Sequence, residues 1–241
     1  TGGAGRIYDG LLKGGADRSA TLLTLGGGVI CDMGGFAAAT YMRGIRLVHV
    51  PTTLLAQVDA AIGGKVGVNL PGGKNLVGAF YQPSLVVIDP HVLATLPRRE
   101  FRAGLYEVVK YGVACDRALF DQVCRELGPL TRRDAAALTP VIAACCRLKG
   151  AIVAADERES GARRVLNFGH TVGHALEAGT RYRRLLHGES VAYGMMAACA
   201  IGVRRGSLAA ADFDTIAAAI AQLGPLPPVN DLSAAAQLEF M

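Results

Sequence analysis

Hydrophobic and polar positions divide the chain into two textures. Over roughly the first 95 residues, short apolar runs alternate with glycine-rich turns, and the runs at 21–25, 47–50 and 85–88 read as buried strands. Beyond Leu96-Pro97 that signal stops. Apolar residues there recur every three or four positions, which predicts helices over 99–115, 134–154, 171–180, 189–205 and 210–223. A shorter apolar helix is predicted over 33–42, and the proline-rich 224–228 stretch ends the last long helix. The pattern therefore predicts an α/β domain over 1–96 followed by an all-helical domain over 97–241, with no internal repeat.

Composition narrows this picture. Of 241 residues, 51% are hydrophobic and 19% charged, which excludes a disordered chain. Eighteen of the 31 glycines fall in the first 95 residues, so glycine belongs to the turns of the α/β half. The net charge of +5 comes mostly from scattered arginine pairs without interleaved aromatics. That arrangement argues against nucleic acid and leaves most pairs as solvated helix ends, with a small anionic substrate as the use for the remainder. Six cysteines without a C-x-x-C pair read as reduced core residues. The longest uncharged apolar run of the helical half, 191–203, falls short of the ~18–20 residues that cross a bilayer, and no signal-peptide pattern is present. A soluble, cytoplasmic protein with no membrane partner is the expectation.

Glycine turns carry the first candidate chemistry. The first strand runs into Gly26-Gly27-Gly28 and an apolar helix, a turn in which phosphate can approach backbone N–H groups at a helix N-terminus, although the string is not G-x-G-x-x-G. Thr52 and Thr53 follow the second strand and can cap a helix or contact a phosphate. Two Gly-Gly-Lys turns, ending at Lys65 and Lys74, flank 66–69 like the corners of a hairpin. Asp59 is the only acid between Asp32 and Asp89, in an apolar stretch, and is either a cap or a site residue.

The helical half carries the second candidate. His170 and His174 stand four apart, on one face of a helix, and His187 follows in the next turn. Three imidazoles beside Asn167 and Glu189 suit a catalytic metal with one open position, but Thr171 occupies the place of the glutamate in the zinc-peptidase signature. Glu107 lies three residues before Lys110, either as a site residue or as an exposed ion pair.

Together the strings GGGVICDMGGFAAATYMRG, VPTTLLAQVDAAIGGKVGVN, GKNLVGAFYQP, AGLYEVVKYG and LNFGHTVGHALEA with LLHGE closely resemble the 3-dehydroquinate synthase family, over almost the whole chain from Arg6 to Arg205. The resemblance implies a Rossmann-like NAD-binding domain, incomplete at its start, then an all-α metal-binding domain whose C-terminal end is truncated. It implies conversion of 3-deoxy-D-arabino-heptulosonate 7-phosphate to 3-dehydroquinate and phosphate, with NAD and zinc, or cobalt in its place, as cofactors. Carried over by motif, the metal ligands fall on Glu107, His170 and His187, while His174 is implied beside the leaving phosphate. Lys65, Asn75, Lys110, Lys149, Arg163 and Asn167 match the substrate-binding polar set, and Asp59 lies between cofactor and substrate. Gly27, Gly28, Val29, Asp32, Thr52, Thr53, Lys65, Lys74 and Thr95 match cofactor positions. Arg43 matches a residue lent across a homodimer interface to the neighbouring site. Two alternatives remain: a valiolone- or deoxy-inosose-type sugar-phosphate cyclase, against which Arg163 and Asn167 count, and an inactive NAD-binding fragment.

Overall fold

A computed structural model describes residues 2–70 and 73–240, with the backbone alone for residues 73–75, 234 and 236. The side chains of Lys74 and Asn75 thus lie outside the described residues. The fold separates into two compact units, the first ending at Leu96 and the second beginning at Pro97.

In the first unit, β1 (Thr21–Gly26), β2 (Arg46–Pro51) and β5 (Leu85–Val86) form, among the described residues, a parallel sheet in the order β1-β2-β5. β1 and β2 pair in register from Thr21 opposite Arg46 to Gly26 opposite Pro51, so both strands end together at their carboxyl ends. β3 (Lys65–Leu70) and β4 (Gly73–Phe80) make the antiparallel hairpin that the Gly-Gly-Lys corners suggest, with an irregularity between Val68 and Leu70. The helix predicted over 33–42 runs instead as α2 (Gly28–Thr40). It starts inside the glycine turn, with Gly27 as its cap, and stops before Met42 and Arg43, which take left-handed φ of 49° and 67°. The small residues Gly34, Gly35, Ala37 and Ala38 are the buried face of α2, with Cys31. Helix α1 (Gly2–Lys13) is absent from the sequence expectation because three glycines in its first five residues weaken its propensity by about 1 kcal/mol each. Tertiary packing overrides that weakness: Tyr8 and Leu11 pack on the cluster Ala38, Tyr41, Ile45 and Leu47, and Tyr8 Oη lies 2.7 Å from Thr40 Oγ1.

His49 is buried in β2, only 2% exposed, with Nδ1 2.6 Å from Thr24 Oγ1 on β1. Burial lowers its pKa to about 4. An unfolded ring takes up its proton near 6.5, so between those values the unfolded chain binds a proton that the native chain refuses. The stability is whole above pH 6.5 and falls as pH drops toward 4, by about 3 kcal/mol for this ring alone. Denaturant unfolding at pH 7 and pH 4.5 checks this. The non-titrating variant His49→Gln shows a smaller loss over that interval, and equal losses in the two chains would contradict the assignment.

The second unit is helical among the described residues: α3 (Arg98–Cys115), α4 (Arg117–Thr131), α5 (Ala135–Ala155), α6 (His170–Gly179), α7 (His187–Arg204), α8 (Ala210–Leu223) and α9 (Ala234–Leu238), with a 3-10 turn at Ala162–Asn167. α3 is its centre, buried along Phe101 and from Ala103 to Gly112, and packed by α4, α5, α7 and α8. α4 escaped the sequence expectation although Asp116 caps it, accepting from the N–H groups of Ala118 and Leu119. Its Pro129 and polar face obscure the spacing of Leu119, Phe120, Val123, Leu127 and Leu130, which are buried.

α5 stands apart among the described helices. By length and composition it is apolar enough to cross a membrane, despite Arg147 and Lys149. Here, however, Leu138, Val141, Ile142, Cys145, Lys149 and Val153 form one buried stripe at helical spacing, and α3, α4 and the 162–167 turn pack against this helix.

Candidate metal and active site

Glu107 and Lys110 share a face of α3 by their three-residue spacing, and both are buried, at 0% and 1% exposure. The exposed-pair alternative is therefore excluded. Lys110 Nζ lies 2.6 Å from Glu107 Oε2, yet neither carboxylate oxygen accepts a hydrogen bond of acceptable geometry. The Lys110 ammonium compensates Oε2 of this buried carboxylate, while Oε1 faces His187 Nε2 at 3.5 Å. The chemistry of this donor set suits a divalent metal.

Two imidazoles stand at that carboxylate. His170 opens α6, and its Nδ1 lies 3.2 Å from the Phe168 carbonyl, the geometry of a ring that donates there and leaves Nε2 bare. Burial pulls the His170 pKa down to about 4, so the ring is neutral near pH 7 and ready to ligate. His187 opens α7, with Nε2 3.5 Å from Glu107 Oε1 and Nδ1 3.3 Å from Glu177 Oε2. One ligand atom from each of Glu107, His170 and His187 lies within 4.8 Å of the others. A second such group consists of His174, Glu177 and His187. The three rings gather at 5.1, 5.1 and 5.9 Å between centroids, but His170 and His174 fall in separate groups and make no paired chelate.

Glycines allow these elements to converge. Gly169 turns into α6 with φ of 79°, and a Cβ on it would lie 2.8 Å from Met195 N on α7. Gly188 in α7 lies directly on the Ala103 backbone of α3. Glu189 fixes the start of α7 by accepting the Leu186 N–H at 2.8 Å and both Nε and a terminal nitrogen of Arg99 at 2.7 Å. Arg99 also donates to the Arg184 carbonyl, so this member of an arginine pair is a clamp and not a solvated helix end.

Elsewhere in the second unit, Lys149 is buried on α5, and Arg163 is buried in the 162–167 turn while donating to the Glu157 carbonyl. That loop is held by Asp156, which accepts the N–H groups of Ser160, Gly161 and Arg163, bonds that hold its carboxyl far below the usual carboxylate range. Asn167 donates to Glu159 at 2.8 Å and lines a cavity of ≈ 670 Å³ with Arg164, Phe168 and Thr171. His174 is exposed.

In the first unit, Gly27 caps α2 without a side-chain bond. A Cβ there would meet Thr53 at 3.0 Å, and one on Gly28 would meet Ala60 at 3.1 Å. Thr52 N donates to the Gly26 carbonyl, so the turns after β1 and β2 are neighbours, the position where open α/β sheets bind ligands. Val29 is exposed, and Asp32 and Asp59 are half-buried, Asp59 in a π-helical turn at Ala56–Ala60. Lys65 and Arg43 are exposed. Thr95, also exposed, lies 3.5 Å from the Val92 carbonyl at the end of a separate 3-10 turn.

Sequence reasoning missed Arg99, Asp156 and Glu177. Glu177 had one signal: it follows His170 by seven residues, which returns it to the same face of α6.

Fold and site define the class of two-domain sugar-phosphate cyclases. The 2-epi-5-epi-valiolone synthase of Streptomyces hygroscopicus subsp. jinggangensis 5008, solved with NAD+ and Zn2+, superimposes with a TM-score of 0.89 at 32% identity, over 98% of this chain and 68% of that one. A 2-deoxy-scyllo-inosose synthase complexed with carbaglucose-6-phosphate, NAD+ and Co2+ gives 0.89 at 29% identity, over 98% and 65%. Within that class, the family profiles 3-dehydroquinate synthase N-terminal and 3-dehydroquinate synthase C-terminal match residues 2–103 and 104–241, and the chain belongs to the 3-dehydroquinate synthase family. The 3-dehydroquinate synthase of Geobacter metallireducens is 55% identical over 217 residues, 90% of this chain and 60% of its own length. The chain spans 57% to 63% of the length of this relative and two other 3-dehydroquinate synthases, from Pelobacter propionicus and Halorhodospira halophila.

Proposed function

We propose that the chain catalyses the 3-dehydroquinate synthase reaction, releasing phosphate from 3-deoxy-D-arabino-heptulosonate 7-phosphate and closing a carbocycle. The observation that carries this reading is the buried Glu107 carboxylate, whose Oε1 faces His187 and which is grouped with His170 and His187 within 4.8 Å. Those three residues would hold zinc or cobalt, the metals solved in the two cyclases above. Bound metal would act as a Lewis acid on a substrate hydroxyl, and bound NAD would take and return a hydride.

The chain's own residues bind, orient and move protons. Lys110, Lys149 and Arg163 supply buried positive charge that suits a sugar-acid phosphate, and Asn167, on the cavity, supplies neutral hydrogen bonds. His174, exposed and one turn beyond His170, is the candidate to relay a proton at the departing phosphate. In the first unit the uncapped start of α2 at Gly27 and Gly28, with Val29, Asp32, Thr52 and Thr53 nearby, suits a dinucleotide pyrophosphate. Lys65, Asp59, Lys74, Asn75 and Thr95 complete the proposed cofactor and substrate set. The exposed Arg43 is proposed to serve the neighbouring site of a homodimer.

A phosphate-release panel on the full chain with NAD and zinc tests the reading. Release from the heptulosonate phosphate and none from sedoheptulose 7-phosphate or glucose 6-phosphate is the expected outcome. The reverse preference would place the chain with the valiolone- or inosose-type cyclases.

A further inference from the structure

Glu177 is buried, 3% exposed, although no substrate or cofactor position implied by the family strings falls on it. A carboxylate so placed requires partners. Its Oε2 lies 3.3 Å from His187 Nδ1, and the same imidazole presents Nε2 to Glu107 Oε1 at 3.5 Å. The His187 ring is thus strung between two buried carboxylates, one on each nitrogen. The main chain of Glu177 joins in as well: its carbonyl accepts the Tyr182 N–H at 2.7 Å and the Thr180 hydroxyl at 3.2 Å. Tyr182 and Arg181 take left-handed φ of 57° and 53°, so one residue of α6 ties down the turn leading to His187 and also the ring that the turn delivers.

We propose that Glu177 is a positioning residue for the metal site. Its carboxylate accepts the Nδ1–H of His187, fixes that tautomer, holds Nε2 toward Glu107 and His170, and makes Nε2 a stronger ligand. This role rests on the metal reading above. The group His174, Glu177 and His187 could instead hold a second cation. A ring nitrogen that donates its proton to Glu177 cannot also ligate, and His174 is exposed, so the geometry favours one metal with a carboxylate behind it.

The test compares zinc and cobalt binding to the full chain, by competition with a chromophoric chelator, for the parent, Glu177→Gln, Glu177→Met and Glu107→Gln. Imidazole 15N shifts of the zinc-loaded chain provide a second readout. The parent is expected to bind one equivalent, with His187 protonated at Nδ1 and ligating through Nε2. Glu177→Met, which keeps the volume and removes the acceptor, weakens binding by about 10- to 100-fold and alters the cobalt absorption bands. Glu177→Gln, still able to accept, is expected to lie between; if the methionine variant does not fold, the glutamine variant and the 15N shifts carry the result. Parent-like affinity and cobalt spectrum in a folded Glu177→Met, with Glu107→Gln impaired, would overturn the positioning role alone. Two equivalents in the parent and one in Glu177→Met would overturn it in favour of a second metal. Undiminished binding in both Glu107→Gln and Glu177→Met would overturn the metal reading itself and this role with it.

Discussion

Glu107→Gln is expected to lose its metal and much of its stability together, with zinc affinity falling by about 100-fold or more. The carboxylate is wholly buried and offers the only anionic oxygen of the Glu107, His170 and His187 group. Replacing it with an amide removes the charge that attracts a dication and turns one strong oxygen donor into a weak one. It also leaves the Lys110 ammonium, 1% exposed, beside a neutral group. Breaking a buried pair from one side costs about 3–5 kcal/mol, because the remaining charge stays desolvated. His170→Ala and His187→Ala should lose metal to a similar extent with a smaller stability loss, since each removes a group that is neutral as a ligand. His174→Ala should keep its zinc. Atomic absorption on the purified variants, with denaturant unfolding beside it, checks the set. Full metal content in any of the first three contradicts the ligand assignment, and metal loss in His174→Ala would restore a chelate built on the His170 and His174 pair.

What was legible in the sequence follows from what is local. The apolar runs at 21–25 and 47–50 are strands of the parallel sheet and the run at 85–88 supplies Leu85–Val86, but the expectation that all three are buried fails: β2 is buried at Leu47, whereas Leu23, Leu25 and Leu85 are 57%, 64% and 55% exposed. Apart from α4, the long helices of the second unit announce themselves by spacing, within one or two residues of their ends. α1 did not, because its glycines argue against a helix and only packing on Tyr41 and Ile45 rescues it. Nor did the start of α2, since Gly28 reads as turn although it is the first helical residue. At the site, the four-residue spacing of His170 and His174 is visible in one dimension and suggests a pair. The structure groups each with a different carboxylate, Glu107 from α3 and Glu177 from their own helix. That choice depends on how α7 lies against both α3 and α6, which no periodicity encodes. Family strings pointed to Glu107, while the one local signal for Glu177, its seven-residue spacing from His170, does not by itself distinguish it from a solvated helix glutamate.

The approach of α7 to α3 is itself open to a test at one atom. Gly188→Ala is expected to destabilise the chain by about 2–4 kcal/mol and to weaken zinc binding by at least about 10-fold. A Cβ at position 188 would overlap the Ala103 carbonyl oxygen, with that carbonyl carbon at 2.6 Å and the Ala103 Cα at 2.9 Å. Both partners are helix backbone, so no rotamer change relieves the overlap, and forcing extra volume into such a contact typically costs about 1–3 kcal/mol or more. The relief available is for α7 to lift from α3. His187 is the adjacent residue and Glu107 lies four positions beyond Ala103, so that movement widens the Nε2 to Oε1 separation, now 3.5 Å, on which the proposed metal site depends. Gly150→Ala provides the contrast: a Cβ at that position on α5 meets nothing within 4 Å, and the substitution should stabilise its helix by about 0.5–1 kcal/mol without touching the metal. Denaturant unfolding and chelator competition on the two variants separate a general intolerance of change from a loss of the close α3–α7 contact. If Gly188→Ala matched the parent in both measurements, the close contact would not be what brings His187 to Glu107.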